Sequence, residues 1–356
     1  MNAWIESLSA NQQFLLFSAV KIMGAISVLM PMIAYSVMAE RRIAAFIQDR
    51  VGPNRVGPFG LLQPMADGLK SFMKEDFTPA HVRKAYFWIA PAITMIPALM
   101  TIAVIPFGSN LGTSPLSKMV IADLNVGILY TFGIVSLGVY GIVLAGYAAN
   151  SKYPFLGGIR SSAQLISYEI AMGMSVIPIF MLVGSLNLSD VVKYQSGGLF
   201  HWLIFKQPLA FLIFLVAAFA ETNRLPFDLP ESEQELVGGY NTEYSSMKFA
   251  LFFMGEYANV ILSSAMMVTL FFGGWSLPFA GLDQPAQSLG HGVLHILIFI
   301  GKVLAFVVFF IWVRWTLPRF RYDQLMHLGW QRFIPLALAN IAVTAVVLWV
   351  IATRAV

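Results

Sequence analysis

Apolar residues in this chain gather into runs of roughly twenty. At about 1.5 Å of rise per residue, that is the length at which an α-helix crosses the ~30 Å hydrocarbon core of a bilayer. Eight such runs can be read, at about 14–38, 86–107, 126–148, 164–184, 208–221, 247–271, 291–313 and 333–352. The fifth is the shortest, cut off by Glu221. Lipid offers no hydrogen-bond partner to a bare peptide group, so every run is expected to be helical. Breaks such as Pro31, Pro97, Gly133, Gly138, Gly173 and Pro178 are then tolerated only against neighbouring helices. No internal repeat or soluble segment divides the chain, so residues 1–356 are read as a single membrane domain.

One polar connection carries a helix of its own. Leu62, Met65, Ala66, Leu69, Phe72 and Met73 recur at helical spacing, while Asp67, Lys70 and Lys74 fall on the opposite face. This is the pattern of an amphipathic helix lying in the membrane interface. Taken by itself the pattern requires nothing more than a surface spacer. The fold class is therefore all-α: a polytopic membrane protein of about eight transmembrane helices plus one interfacial helix.

Composition supports this reading. Hydrophobic residues make up 58% of the chain and charged residues 11%, with a mean hydropathy of +0.73. A soluble domain carries about 25% charged residues. The net charge of +4 comes from basic loops and not from a nucleic-acid-binding face. With no cysteine, the chain has no thiolate for a metal or an iron–sulfur cluster. Of five histidines only His295 is well inside a run, which argues against a bis-histidine haem; His291 and His295, four apart, have no third ligand beside them. There is no glycine-rich nucleotide fingerprint. No metal or cofactor is expected on this chain. The N-terminus lacks a basic stretch and a small-residue cleavage site, so the first run is expected to be retained.

Lys and Arg set the orientation. Arg41, Arg42, Arg50, Arg55, Lys70, Lys74, Arg83 and Lys84 follow the first run, Lys152 and Arg160 the third, and Arg314, Arg319, Arg321 and Arg332 the seventh. The alternate loops hold only Lys118, Lys193 and Lys206. Loops 39–85, 149–163, 222–246 and 314–332 are thus expected in the cytoplasm and both termini in the periplasm.

Three constellations can carry chemistry. The first is Glu40-Arg41-Arg42 followed by the Gly-Pro-punctuated stretch from Asp49 to Pro58, which presents Arg50 and Arg55 on a path with little freedom. The second runs from Glu221 to Glu235. There Asp228, Glu231, Glu233 and Glu235 flank Phe227, Arg224 is the one base, and Ser232 with Glu235 has capping-box spacing. Clustered carboxyls that repel one another trade protons near neutral pH. The third comprises ionisable groups inside the runs: Lys21, Glu169, Glu256 and Lys302. A charge at that depth faces a polar route or a partner. Tyr168 precedes Glu169 and Tyr257 follows Glu256, giving each carboxyl a hydroxyl neighbour in sequence.

Together these stretches resemble the quinone-chamber (H) subunit family of bacterial proton-pumping NADH:quinone oxidoreductase, respiratory complex I, equivalent to mitochondrial subunit one. The resemblance rests on 39–42, 49–58, 62–70, 164–169, 221–237 and 318–326, and it covers nearly the whole chain. Gln331 and Trp315 depart from the family's usual residues.

The resemblance implies a quinone chamber shared with the peripheral arm, involving Glu40, Arg41, Arg42, Arg50, Arg55, Asp67 and Phe227. It implies proton coupling through Glu169, Glu221, Asp228, Glu231, Glu233, Glu235 and Glu256, and docking through Arg319, Arg321 and Asp323. Quinone, ubiquinone by expectation, is the substrate, while NADH, FMN and Fe–S clusters belong to partner subunits. The expected partners are the quinone-module subunits of the peripheral arm and small membrane-arm subunits, and the expected location is the bacterial inner membrane. Three alternatives stand beside this reading: the related membrane subunit of an energy-converting hydrogenase, a structural anchor for the peripheral arm, and a free-standing proton-coupled transporter. The paired basic and acidic cytoplasmic loops argue against the transporter, and the intramembrane glutamates argue against a pure anchor.

Overall fold

The computed structural model describes residues 9–109, 118–229, 237–279, 281–286 and 288–354, and all regular structure among them is helical. Seven helices there are long and apolar enough to cross a bilayer. The first, α1 (Ala10–Ile47), opens on a capping box in which the Ser9 hydroxyl accepts from the Gln12 backbone and the Gln12 side chain answers the Ser9 amide. Its 38 residues extend for roughly 57 Å, well beyond a bilayer core. Glu40, Arg41 and Arg42 therefore stand on helix, and the loop expected from 39 starts only after Ile47.

The amphipathic helix α2 (Gln63–Met73) buries none of its residues, so Met65, Leu69 and Phe72, with Leu62 just before them, remain open to the surroundings. Polar contacts tie it to the bundle. Arg41 pairs with Asp67 at 2.6 Å, and the Ser246 hydroxyl bonds to the carbonyls of Ser71 and Lys74.

The next spans are α3 (Lys84–Thr101) and α4 (Gly127–Ala148). They cross closely because Gly141 lies against the backbone and hydroxyl of Thr94, where a β-carbon has no room. Helix α5 (Lys152–Val183) begins well before the span starting at 164, so the expected 149–163 loop shrinks to the turn around Asn150. A polar Gly-Gly-Ile-Arg-Ser-Ser stretch reads as loop by composition, yet the helix continues, with Gly157 against the backbone of Gly239 where a β-carbon has no room. Short helices α6 (Leu188–Tyr194) and α7 (Leu203–Lys206) follow.

Helix α8 (Pro208–Glu221) has 14 residues, about 21 Å, too short to span alone. Burial along Ala210, Phe214, Ala217 and Phe219 means that protein rather than lipid surrounds its ends. The most enclosed span is α9 (Ser246–Phe271), which packs on α1, α3 and α10 (Leu289–Thr316). After α11 (Tyr322–His327), a π-helical stretch, Leu328–Phe333, leads into α12 (Ile334–Arg354) and sets Gly329 over the Tyr168 ring. Gln207 bonds Thr344 and Asn340, tying α12 to the start of α8.

Candidate functional site

Four charged side chains from distant parts of the chain meet at one end of the bundle. Glu40 comes from α1, Glu256 from α9, Arg314 from the last turn of α10, and Arg224 from the loop after α8. Arg314 pairs with Glu40 Oε1, and the Tyr257 hydroxyl donates to Glu40 Oε2 at 2.6 Å. Arg224 lies between the two carboxylates, 4.0 Å from Glu40 and 3.6 Å from Glu256, with its guanidinium 4.2 Å above the Tyr257 ring. The Tyr240 hydroxyl donates to Glu256 at 3.0 Å. Arg224 is 5% exposed, and Glu40 and Glu256 are similarly buried. Two acids and two bases cancel, which is the condition for burying charges at this depth.

From Glu256 a polar line continues inward. A cavity of about 30 Å³ is bordered by Glu256, Tyr240, Asn223, Glu221, Glu169 and Asn259. A second of the same size shares Glu221 and Asn259 and reaches Thr101, Thr131 and Ser263. A third, about 10 Å³, lies among Glu40, Arg224, Tyr257 and Arg314. Each of the two larger cavities has the volume and polar lining to hold a water or two, which would link groups too far apart for direct contact.

The Glu221 loop is positioned from below by Gln164. Its amide donates to the carbonyls of Ala220 (2.8 Å) and Phe227 (2.9 Å) and to Asn223 Oδ1. The Phe227 ring packs between Tyr168 and Phe320. Asp228 pairs with Arg319 at 3.2 Å, so the acidic loop is pinned to the segment before α11.

Several residues read from the sequence lie elsewhere. Arg50 bonds Gln48 and is exposed, as is Arg55; neither joins the buried cluster. Arg42 reaches the Phe59 carbonyl at the surface. Arg321 and Asp323 form an exposed pair with each other at 3.3 Å. Glu231, Glu233 and Glu235, with the capping box from Ser232, lie outside the described residues.

The neighbouring hydroxyls also distribute differently from their order in sequence. Tyr257 serves Glu40, not Glu256, and Tyr168 donates to the Leu325 carbonyl, not to Glu169. Consecutive helical residues point about 100° apart, so adjacency in sequence works against contact. Sequence reasoning missed Arg314, Tyr240, Gln164 and Asn259 as members of the site. Arg314 looked like an ordinary topology charge, and only its depth on an apolar helix end hinted otherwise.

At the opposite end, a second polar group closes the loop between α3 and α4. Asp123 pairs with Lys118 and accepts hydrogen bonds from Asn187 (2.8 Å) and Ser189 (3.2 Å). Burial alone would push this carboxyl up, but those bonds and the Lys118 charge outweigh it and hold it below the usual carboxylate range. Lys302 donates to the carbonyls of Phe272, Gly274 and Ser276 at 2.7, 2.9 and 2.7 Å, a cation on the C-terminal end of α9. His295 bonds Ser109 at 2.8 Å and its ring lies tilted against Trp275.

Fold and site together define a polytopic membrane protein with a charge-balanced ion-pair cluster at one end and a polar carboxyl line leading inward from it. The family model for NADH dehydrogenase matches residues 20–345, and the chain belongs to that family. Among its relatives, the NADH-quinone oxidoreductase H subunit 1 of Cytophaga hutchinsonii is 49% identical, over 93% of this chain and 96% of the relative. The NADH-quinone oxidoreductase H subunit 2 of Geobacter sulfurreducens is 54% identical over 90% of this chain and 93% of the relative. NADH-quinone oxidoreductase subunit 8 of Rhodothermus marinus is 50% identical over 87% and 90%.

Proposed function

We propose that this chain is the membrane subunit of a bacterial proton-translocating NADH:quinone oxidoreductase, where it walls the quinone chamber against the peripheral arm and passes protons between that chamber and the membrane interior. Similarity along nearly the whole chain to relatives named for NADH-quinone oxidoreductase supports the reading. In it the Glu40 end faces the cytoplasm, both termini face the periplasm, and the protein sits in the inner membrane. Electrons from NADH arrive through FMN and Fe–S clusters of partner subunits. Quinone takes up two electrons and two protons to become quinol.

The tail of a quinone is apolar, so its way in is sideways from lipid. The exposed apolar face of α2 beside α1 offers such an entrance, and the Arg41–Asp67 pair fixes its rim. The exposed Arg50, Arg55, Arg321 and Asp323 form the surface that meets the peripheral arm.

The observation that carries the coupling role is the continuous line from Glu40 through Arg224 and Glu256 to the cavities beside Glu221 and Glu169. Neighbouring carboxyls in a low-dielectric site cannot all ionise cheaply. A change of charge at the quinone end shifts Arg224 between Glu40 and Glu256. The proton balance of the carboxyls behind them shifts in turn.

The test replaces Glu221, Glu169 or Glu256 by Gln, which keeps the shape but carries no proton. We expect assembled complexes with NADH:quinone turnover and pumping in vesicles both reduced at least about tenfold, most strongly for Glu221→Gln. NADH oxidation by an artificial acceptor reports assembly. Full turnover with full pumping in all three variants would remove the carboxyl line from the mechanism.

A further inference from the structure

A large groove lies away from the ion-pair cluster, along the opposite half of α1. Its volume is about 850 Å³, within the ~300–1,000 Å³ typical of ligand sites. Its walls are apolar, with Phe17, Leu29 and Met32 from α1 facing Ile261 of α9 and Phe299 of α10. Two charged residues line it, Lys21 and Lys118, and among the described residues no carboxylate does.

Lys21 holds its ammonium at the cavity's far end by donating to the Val120 carbonyl at 3.2 Å. An ammonium has three donors, and this bond uses one. Lys118 is already paired with Asp123 beside it. Along α1, Lys21 to Met32 is about eleven residues, or ~17 Å, close to one leaflet of a ~30 Å core. Lys21 lies about nineteen residues from Glu40, or ~29 Å, so the lysines sit at the headgroup level of the leaflet remote from the ion-pair cluster.

We propose that this groove is a binding site for an anionic glycerophospholipid, with its acyl chains between α1, α9 and α10 and its phosphate on Lys21 with Lys118 beside it. A lipid fits where a quinone does not. The groove presents cations at interface depth, and a quinone head is neutral. A zwitterionic lipid would bring its own cation toward Lys21. Occupancy also has a mechanical consequence: α1 carries Glu40, and a lipid wedged along its remote half supports that helix where no described side chain fills the gap. The site is independent of the quinone chamber and stands or falls apart from it.

The test uses the assembled complex in phosphatidylcholine vesicles doped with a photoreactive phospholipid whose reactive group sits at the acyl end. Matched probes carry a phosphatidylglycerol or a phosphatidylcholine head. The glycerol probe is expected to label peptides from 24–32 or 296–303 about fivefold more than the choline probe, the preference one membrane-surface lysine confers. Lys21→Gln should abolish most of that preference, and Lys21→Arg should keep it. Equal labelling by the two probes in the unaltered complex would overturn the proposal, as would a preference untouched by Lys21→Gln with Lys118→Gln. Labelling displaced by a short-chain quinone would assign the groove to quinone instead. If the double Gln variant fails to assemble, the probe ratio in the unaltered complex and in Lys21→Arg still decides.

Discussion

Arg224→Met removes the charge shared by two buried carboxylates, and the geometry dictates which of them suffers. Glu40 keeps Arg314 and the Tyr257 hydroxyl. Glu256 is left with the Tyr240 hydroxyl. Deleting one partner of a buried pair costs about 3–5 kcal/mol, because the survivor stays buried and uncompensated. With side-chain exposures of 6% and 7%, the pair is too shielded for solvent to offset much of that. Native stability itself is typically about 5–15 kcal/mol, so the loss is large. The expected result is reduced assembly in the membrane and a thermal midpoint lowered by several degrees in detergent.

The rescue is specific. Adding Glu256→Gln should restore most of the lost stability, because the uncompensated charge is then gone. Adding Glu40→Gln should not, because it strips Arg314 of its partner and leaves Glu256 as before. Arg224→Lys should fall between, since a single ammonium cannot span both carboxylates or cover the Tyr257 ring as a planar guanidinium does. The measurement is complex abundance and thermal midpoint for these variants side by side with the unaltered complex, with quinone turnover recorded separately. Equal rescue by either Gln would refute the assignment of Glu256 as the stranded charge. An unperturbed Arg224→Met would refute the cluster as a stabilising unit.

Other perturbations test separate parts. Asp123 has a folded-state pKa below its unfolded value, so its contribution is present above the ordinary carboxylate range and is lost as pH falls through the folded value. Asp123→Asn should therefore lower the thermal midpoint at neutral pH and leave it unchanged in strong acid; an equal deficit at every pH would deny the linkage. Lys302→Met strips three carbonyls of their donor and should destabilise by roughly 1.5–3 kcal/mol, the worth of charge-assisted bonds, with no change if those carbonyls find water. Arg319→Ala should loosen the Asp228 loop and weaken peripheral-arm attachment more than Arg319→Lys does, read by co-purification; identical yields would leave Arg319 as a topology charge.

The helices were legible in the sequence because burial in lipid forces a simple pattern: an apolar run of sufficient length has one stable form. Legibility failed where the protein itself replaces lipid as solvent. Helix α8 has the bounds read from the sequence, 208–221, but its enclosure by α5, α9 and α12, which makes so short a helix acceptable, is a condition no local pattern records. The opening of α5 fails for the opposite reason. Its glycines and serines resemble a loop until Gly239 is seen packed against Gly157. The extension of α1 past Ala39 follows the same logic, since an Arg-rich turn can remain helical once it has left the membrane.

The site divides along a similar line. An acid within an apolar run stands out, so Glu169 and Glu256 could be picked from the sequence. What neutralises Glu256 could not, because compensation is a property of space. Glu40 and Arg314 are 274 residues apart, and Glu40 and Tyr257 are 217 apart. Nothing in either neighbourhood names the other. Charge balance nevertheless constrains the answer. A buried carboxylate at Glu40 and another at Glu256 require two cations within a few ångströms, and few candidates exist in a chain with only 22 basic residues, most of them on loops. Arg314, in the last turn of α10, read as one more topology charge, whereas Arg224, the single base in an acidic loop, was not explained by topology. Such residues are the place to look for the missing half of a buried site, because a base that topology does not require must be held there by a partner.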